Sequence, residues 1–120
     1  MVDSPLITKS KAFALQIIKV CNYIKQNKKE SVLTNQLIRS GTSIGANIHE
    51  AQYAQGKKDF ISKLEIALKE ASETGYWLEL AHRTNYIDEK QYKILSDKCA
   101  TLRVMLVASC RTAKANQDNK

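Results

Sequence analysis

Residues 38–51 are the stretch that most suggests chemistry, because Gly41 and Gly45 lie four apart among serine and threonine side chains. A phosphate-binding loop needs glycines in a turn between a strand and a helix, and it ends in Gly-Lys-Ser/Thr. Here no lysine follows Gly45, and the apolar period continues through Ile44 and Ile48. We therefore predict that both glycines lie inside a helix. Each costs about 1 kcal/mol relative to alanine, which close helix packing must offset.

The two histidines raise the question of a dinuclear metal centre in a helical protein. Such a centre uses two Glu-x-x-His motifs and two further glutamates, all directed inward. Glu79 and His82 match the motif once, whereas His49 is followed directly by Glu50. Adjacent residues do not share a helix face, so half of the ligand set is missing. We predict no metal ion and no cofactor.

The cysteines and glutamates offer no recognisable catalytic arrangement. Cys21, Cys99 and Cys110 are odd in number and lack a C-x-x-C spacing, which argues against a disulfide framework or a zinc site. Each falls on or beside an apolar helical face, which is typical of buried thiols in a reducing compartment. We expect the glutamates of the third predicted helix to neutralise Arg39 or nearby lysines. The sequence therefore predicts no enzymatic activity.

Positive charge is concentrated in the first half of the chain. Of the formal net charge of +7, residues 1–58 carry +6, from nine Lys/Arg against three Asp/Glu. This asymmetry favours an anionic partner, most simply nucleic acid, and a merely soluble basic surface is the alternative. No recognition-helix signature or aromatic stacking platform is present, so contacts to phosphates are expected. The candidate phosphate-binding residues are Lys9, Lys11, Lys19, Lys25, Lys28, Lys29, Arg39, Lys57 and Lys58.

Apolar residues spaced three and four apart predict an all-α protein, an antiparallel up-down-up-down four-helix bundle. The four helices are predicted to begin near Ser4, Ser31, Lys57 and Asp88. Gly56 is expected to end the second helix in a left-handed conformation. On the third helix, the inward face is predicted to consist of Phe60, Leu64, Leu68, Ala71, Gly75 and Leu78. Residues 1–120 form one predicted domain, with a polar tail at about 115–120 that is expected to fray.

Two predicted helices carry apolar or weakly charged rows away from the core. A helix that is apolar on two sides usually has a second packing partner, and aromatic residues on a weakly charged face suit a subunit interface. The candidate interface residues are Thr42, Ala46, His49 and Tyr53 on the second helix, and Ile66, Trp77 and Leu80 on the third. Scattered exposed apolar residues, which are normal on any surface, are the alternative. The shared row on the third helix favours self-association.

No apolar stretch approaches the ~18 residues of a membrane span, and the N-terminus lacks a signal-peptide pattern. We therefore expect no membrane association and a cytoplasmic location.

Residues 9–19, residues 32–80 and, more loosely, the fourth helix resemble a bacterial family of four-helix-bundle proteins. These are encoded within intervening sequences of 23S ribosomal RNA genes. The resemblance implies a homopentamer without known enzymatic activity, and it implies that a ribosomal label reflects gene location. The family is similar to the accessory variability protein of diversity-generating retroelements, a basic pentameric barrel. That similarity implies binding to nucleic acid and to a reverse transcriptase.

Taken together, these features predict a non-enzymatic, self-assembling protein that binds RNA or DNA through phosphate contacts. The alternative is a protein adaptor whose basic face docks an acidic protein partner.

Overall fold

The computed structural model describes residues 2–118, which form four helices joined by short connections. The helices are α1 (Ser4–Lys28), α2 (Val32–Ala51), α3 (Lys57–Arg83) and α4 (Glu89–Asp118). Each helix packs against the next along the chain, and α4 returns to α1, in a body measuring 53 × 22 × 20 Å. The predicted all-α antiparallel four-helix bundle is therefore confirmed.

The tail that was expected to fray is described only in part. Residues 115–118 belong to α4, and residues 119–120 lie outside the described residues.

Helix α1 buries the face that its sequence period predicts. The buried positions are Leu6, Ser10, Phe13, Ile17, Cys21 and Ile24, together with Val20. Spacings of three and four follow the 3.6-residue turn, so these side chains form one stripe toward the core. The helix begins at Ser4, as predicted, and Asp3 is the residue that precedes it.

A three-residue turn reverses the chain between α1 and α2. Lys29 adopts the left-handed conformation, with φ of 53°, directly after the last residue of α1. The Glu30 carboxylate then accepts hydrogen bonds from the N–H groups of Leu33 (2.6 Å) and Thr34 (3.2 Å). This carboxylate satisfies two free N–H groups at the positive end of α2.

The predicted left-handed conformation of Gly56 is wrong. Its φ of 178° is extended, and it is the residue that precedes α3. Helix α2 ends earlier, at Ala51, and the N–H groups of Gln52 and Tyr53 bond to carbonyls three residues back. Such short-range bonds complete the last turn without a glycine.

The buried face of α3 differs from the predicted one. The buried residues are Ile61, Leu64, Ala67, Ala71, Thr74, Leu78 and Ala81. Phe60, Leu68 and Gly75 were predicted to face inward but are only half-buried. Small residues occupy the deepest positions because α3 packs between α2 and α4; the Cys99 thiol of α4 lies 3.2 Å from the Ala71 carbonyl oxygen. A prediction that relies on large apolar side chains misses the buried positions of this face that are held by alanine or threonine, such as Ala67 and Thr74.

The two glycines of α2 lie against α1. A Cβ added to Gly41 would come within 2.9 Å of Ile17 Cγ2, whereas one added to Gly45 would lie 3.5 Å from the carbonyl oxygen of Ser10. The first distance is a steric clash with a fully buried side chain, and the second is ordinary van der Waals contact. Gly41 therefore sets how closely α1 and α2 approach.

The unequal contacts of the two glycines predict opposite effects of alanine. Both substitutions remove the same helix penalty of about 1 kcal/mol. Only Gly41→Ala overpacks the core, so we expect it to be less stable than Gly45→Ala by about 1–3 kcal/mol. Urea unfolding followed by circular dichroism, at one protein concentration, measures this difference. Equal stability of the two variants would show that Ile17 moves aside without cost.

Candidate nucleic-acid interface

Helix α1 carries five lysines and no acidic residue. The lysines are Lys9, Lys11, Lys19, Lys25 and Lys28. Lys25 is half-buried and the others are exposed. Among the side chains of residues 2–117, none of the five forms a salt bridge. Their positive charge is therefore directed toward solvent without compensation.

Several cations on the other helices are paired with carboxylates. These pairs are Lys63–Glu50 (3.0 Å), Arg83–Glu79 (3.0 Å), Lys93–Asp97 (3.2 Å) and Lys114–Glu65 (2.7 Å). Hydrogen bonds to Glu50 and Glu65 raise the pKa of Lys63 and of Lys114, respectively. Exposed pairs of this kind stabilise a fold by only ~0–1 kcal/mol, but they cancel local charge.

Arg39 differs from the lysines of the predicted basic set because it is neutralised. Its guanidinium contacts Glu70 at 3.1 Å and also pairs with Glu73, both on α3. Glu73 in turn accepts a hydrogen bond from the indole N–H of Trp77 at 3.0 Å. The structure thus places Arg39 in an α2–α3 ion-pair network, as the sequence indicated for these glutamates, and away from the α1 lysines.

The predicted basic residues do not form one compact patch. Lys28 and Lys29 lie where α1 ends, whereas Lys57 and Lys58 lie in the first turn of α3, at the opposite end of the bundle. The Lys57 amine also donates a hydrogen bond to the Asn116 carbonyl oxygen at 3.5 Å. Helix α1, about 37 Å long, extends between these two ends, as the other helices do.

Lys98 is a basic residue beside α1 that the sequence analysis did not select. Its amine donates a hydrogen bond to the Gln16 side-chain oxygen at 3.1 Å, which joins α4 to α1. The partner is neutral, so the charge of Lys98 adds to that of α1. On the predicted fourth helix, Lys98 lies three residues after Leu95 and four residues before Leu102. This spacing indicates that Lys98 lies beside the apolar row of that helix. Which flank of α4 faces α1, however, depends on the packing.

The candidate interface row that was predicted for the second helix is only partly exposed to solvent. Thr42 is half-buried, and its hydroxyl donates to the Ile38 carbonyl oxygen at 2.7 Å. Ala46, His49 and Tyr53 are exposed, and the rings of His49 and Tyr53 lie 5.4 Å apart.

The candidate interface row of α3 is less exposed than its sequence suggests. Ile66 is 41% exposed, but Trp77 and Leu80 are half-buried, and Trp77 packs against the core. The buried face shifts along α3 from Ile61 toward Ala81, which brings position 77 to its edge. The description of Trp77 as lying opposite the core is therefore wrong.

The three thiols are buried and occur as free cysteines. Burial raises the pKa of Cys21 and of Cys99 to about 11, and it also raises the pKa of Cys110. Since the thiolate is the nucleophile, these thiols are poorly reactive near neutral pH.

His82 occupies a polar contact at the end of α3. Its ring stacks on Tyr92 with centroids 4.4 Å apart, and its Nε2 lies 2.8 Å from Glu89. Among the described residues, no group of three or more His, Cys, Asp or Glu side chains could hold a metal ion. In the same part of the chain, no helix has the apolar length that a bilayer crossing needs.

Comparisons with known proteins identify a family and a closely similar solved structure. The family model described as 23S rRNA-intervening sequence protein matches residues 3–108. A crystal structure from Bacteroides thetaiotaomicron, of a protein with unknown function from the S23 ribosomal protein family, has 46% sequence identity and a TM-score of 0.86. The similarity covers 88% of this chain and 97% of that one. No curated protein matches the chain.

The raised thiol pKa values predict slow labelling of the native protein. A shift of about two units leaves roughly 100-fold less thiolate at Cys21 and Cys99 than at unshifted thiols at pH 8, and burial slows the reaction further. Ellman's reagent should therefore react rapidly only after denaturation. Ala100→Cys places an exposed thiol beside Cys99 and serves as the reactive control. Native reaction of Cys21 or Cys99 as fast as that control would contradict the burial described here.

Proposed function

Because the chain belongs to the 23S rRNA-intervening sequence protein family, we propose that it is a non-enzymatic, self-assembling protein that binds nucleic acid through phosphates. The observation that carries the proposal is the uncompensated charge of α1, with five lysines and no acidic residue in 25 residues.

The charge of α1 suits phosphate contacts better than base recognition. Its lysines are compact point charges on long flexible stems, and from Lys9 to Lys28 they follow one helix for about 28 Å. Lysines paired with phosphates release condensed counterions, which makes affinity strongly dependent on salt. Arg39, which could bind a phosphate or a guanine edge bidentately, is occupied by Glu70 and Glu73. The proposed contact surface is therefore α1, together with Lys29.

Self-assembly would multiply this surface. In the pentamer that the family resemblance implies, each subunit would use two different faces, because a closed ring has heterologous interfaces. Two exposed residues support one of these faces: Tyr53, which follows the end of α2, and Ile66 on α3. Helix α3 does not pack against α1, so an interface at Ile66 would leave the lysines of α1 accessible.

Nucleic-acid binding is tested with fluorescent single-stranded RNA and duplex DNA at two salt concentrations. For about four phosphate contacts on a single strand, affinity should fall roughly 50-fold between 50 and 200 mM salt. Lys11→Gln with Lys28→Gln should weaken binding and reduce the salt slope by about 1.4. The matched control, Lys63→Gln with Lys114→Gln, removes the same charge from paired lysines and should have less effect. Equal effects of both pairs, or absence of binding at low salt, would refute the α1 surface.

Assembly is tested by the solution mass of an interface variant. Trp77 packs against the core and donates a hydrogen bond to Glu73, so substituting it would also disturb the fold. Ile66 is therefore the better site for this test. Ile66→Glu places a charge in the proposed interface, and we expect the mass to fall toward the 13.5 kDa protomer in sedimentation or light scattering. Val32→Glu changes a residue that is 79% exposed outside both candidate rows, and it should leave the mass unchanged. An unchanged mass for Ile66→Glu would remove this part of α3 from the interface.

A further inference from the structure

The bundle is least closed between α1 and α4. These helices contact each other much less than any other neighbouring pair. Two cavities of about 230 and 250 Å³ lie between them, and Gln16 lines both. We call the resulting groove the α1–α4 trough; it is defined by Phe13, Val20, Tyr23, Ile94, Leu95 and Leu102.

The trough has an apolar floor and an exposed apolar end. Phe13 and Leu102 are fully buried beneath one cavity. At the other cavity, Tyr23 and Ile94 are 45% and 43% exposed and lie on opposite walls. Paired large apolar residues beside a buried apolar floor are typical of a groove that receives a helix. The hydrogen bond from Lys98 to Gln16 crosses the groove between the two cavities, so an occupant replaces it.

The charge along the trough has one sign. Lys9 and Lys98 line one cavity, and Lys19 lines the other. No aspartate or glutamate lines either cavity. Within residues 2–118 these lysines form no salt bridge, and the hydrogen bond from Lys98 goes to the neutral Gln16. An occupant must therefore bring negative charge as well as apolar side chains.

At least nine of the twelve acidic residues of this chain already have partners, which disfavours a second copy as the occupant. Six acidic side chains form salt bridges with lysine or arginine, and Glu89 contacts His82; the six are Glu50, Glu65, Glu70, Glu73, Glu79 and Asp97. Two more, Glu30 and Asp88, cap helices. A symmetric pairing of two troughs would also oppose lysine to lysine.

Nucleic acid fits the trough less well than it fits the outer face of α1. The floor is aliphatic apart from Phe13, which is buried, and Tyr23 is the exposed aromatic side chain at the defined walls. Base stacking on a single strand needs successive accessible rings. A helix instead places apolar residues at i, i+3, i+4 and i+7 against such a floor, with carboxylates on both flanks.

We propose that the α1–α4 trough binds an acidic amphipathic helix of a partner protein. Lys9 and Tyr23, near the two ends of the trough, lie fourteen residues apart on α1, which corresponds to about 21 Å, or four helical turns. The partner's apolar row contacts Tyr23 and Ile94 and covers the floor. Its acidic flanks meet Lys19 on one side and Lys98 on the other. The trough shares Lys9 and Lys19 with the proposed nucleic-acid surface. The nucleic-acid function is tested through Lys11 and Lys28, which line neither cavity.

The test uses two fluorescent 16-residue peptides of one composition. In the first peptide, leucines at i, i+3, i+4 and i+7 form a row flanked by glutamates; the second is scrambled and has no row. By fluorescence anisotropy at 150 mM salt, the amphipathic peptide should bind at least tenfold more tightly than the scrambled one. Ile94→Glu should weaken this binding about tenfold, because it places a like charge on the trough wall. Val104→Glu, an exposed position on the same helix outside both cavities, should change it less than twofold.

Three results would overturn the proposal. Equal binding of the two peptides would mean that charge alone attracts them. A loss of RNA affinity specific to Ile94→Glu would assign the trough to nucleic acid. A fall in solution mass specific to Ile94→Glu would assign it to the subunit interface. Because Ile94 is partly exposed, circular dichroism should show unchanged helicity, and the exposed Lys98→Glu gives a second variant with the same expected loss of peptide binding.

Discussion

The close packing of α1 on α2 is the constraint on which the functional surface depends. Within the described residues, α1 has no ion pair to the rest of the bundle, so it is held by its buried stripe. The Ile17 side chain packs against Gly41, in the space that a Cβ at position 41 would need. The missing Cβ lets the two helices approach closely. Apolar burial is insensitive to the sign of nearby charge. A helix can therefore carry five outward lysines and remain part of a stable bundle.

The distribution of carboxylates explains why charge accumulates on one helix. Helix α3 supplies Glu65, Glu70, Glu73 and Glu79, which pair with cations on α2, on α4 and on α3 itself. None of them pairs with α1, because α3 lies diagonally across the bundle and its backbone does not approach that of α1. The acidic and basic faces are consequently separated by the width of the core. Both proposed binding surfaces are consequences of this topology.

The sequence predicted α1 well because its buried residues are large and regularly spaced; Phe13 and Ile17 define the stripe without ambiguity. Helix α3 was harder, since its deepest positions include Ala67 and Thr74, whose burial depends on how closely its neighbours pack. The buried face of α3 also shifts along the helix from Ile61 toward Ala81, which places Trp77 at the edge of the core. The α1–α4 trough and the role of Lys98 could not be predicted, because residue spacing does not show which pair of helices is least closed.

The trough also has a topological origin. The chain passes directly between α1 and α2, α2 and α3, and α3 and α4, whereas α4 and α1 have no such link. Val2 and Asp3 nevertheless line the same cavity as Thr112 and Asn116, so the start of α1 and the end of α4 are adjacent. A short engineered peptide could close the bundle into a ring, with new termini in the connection at residues 52–56. Such a circular permutant would link α1 to α4 covalently and would limit how far these two helices can separate when a helix binds between them.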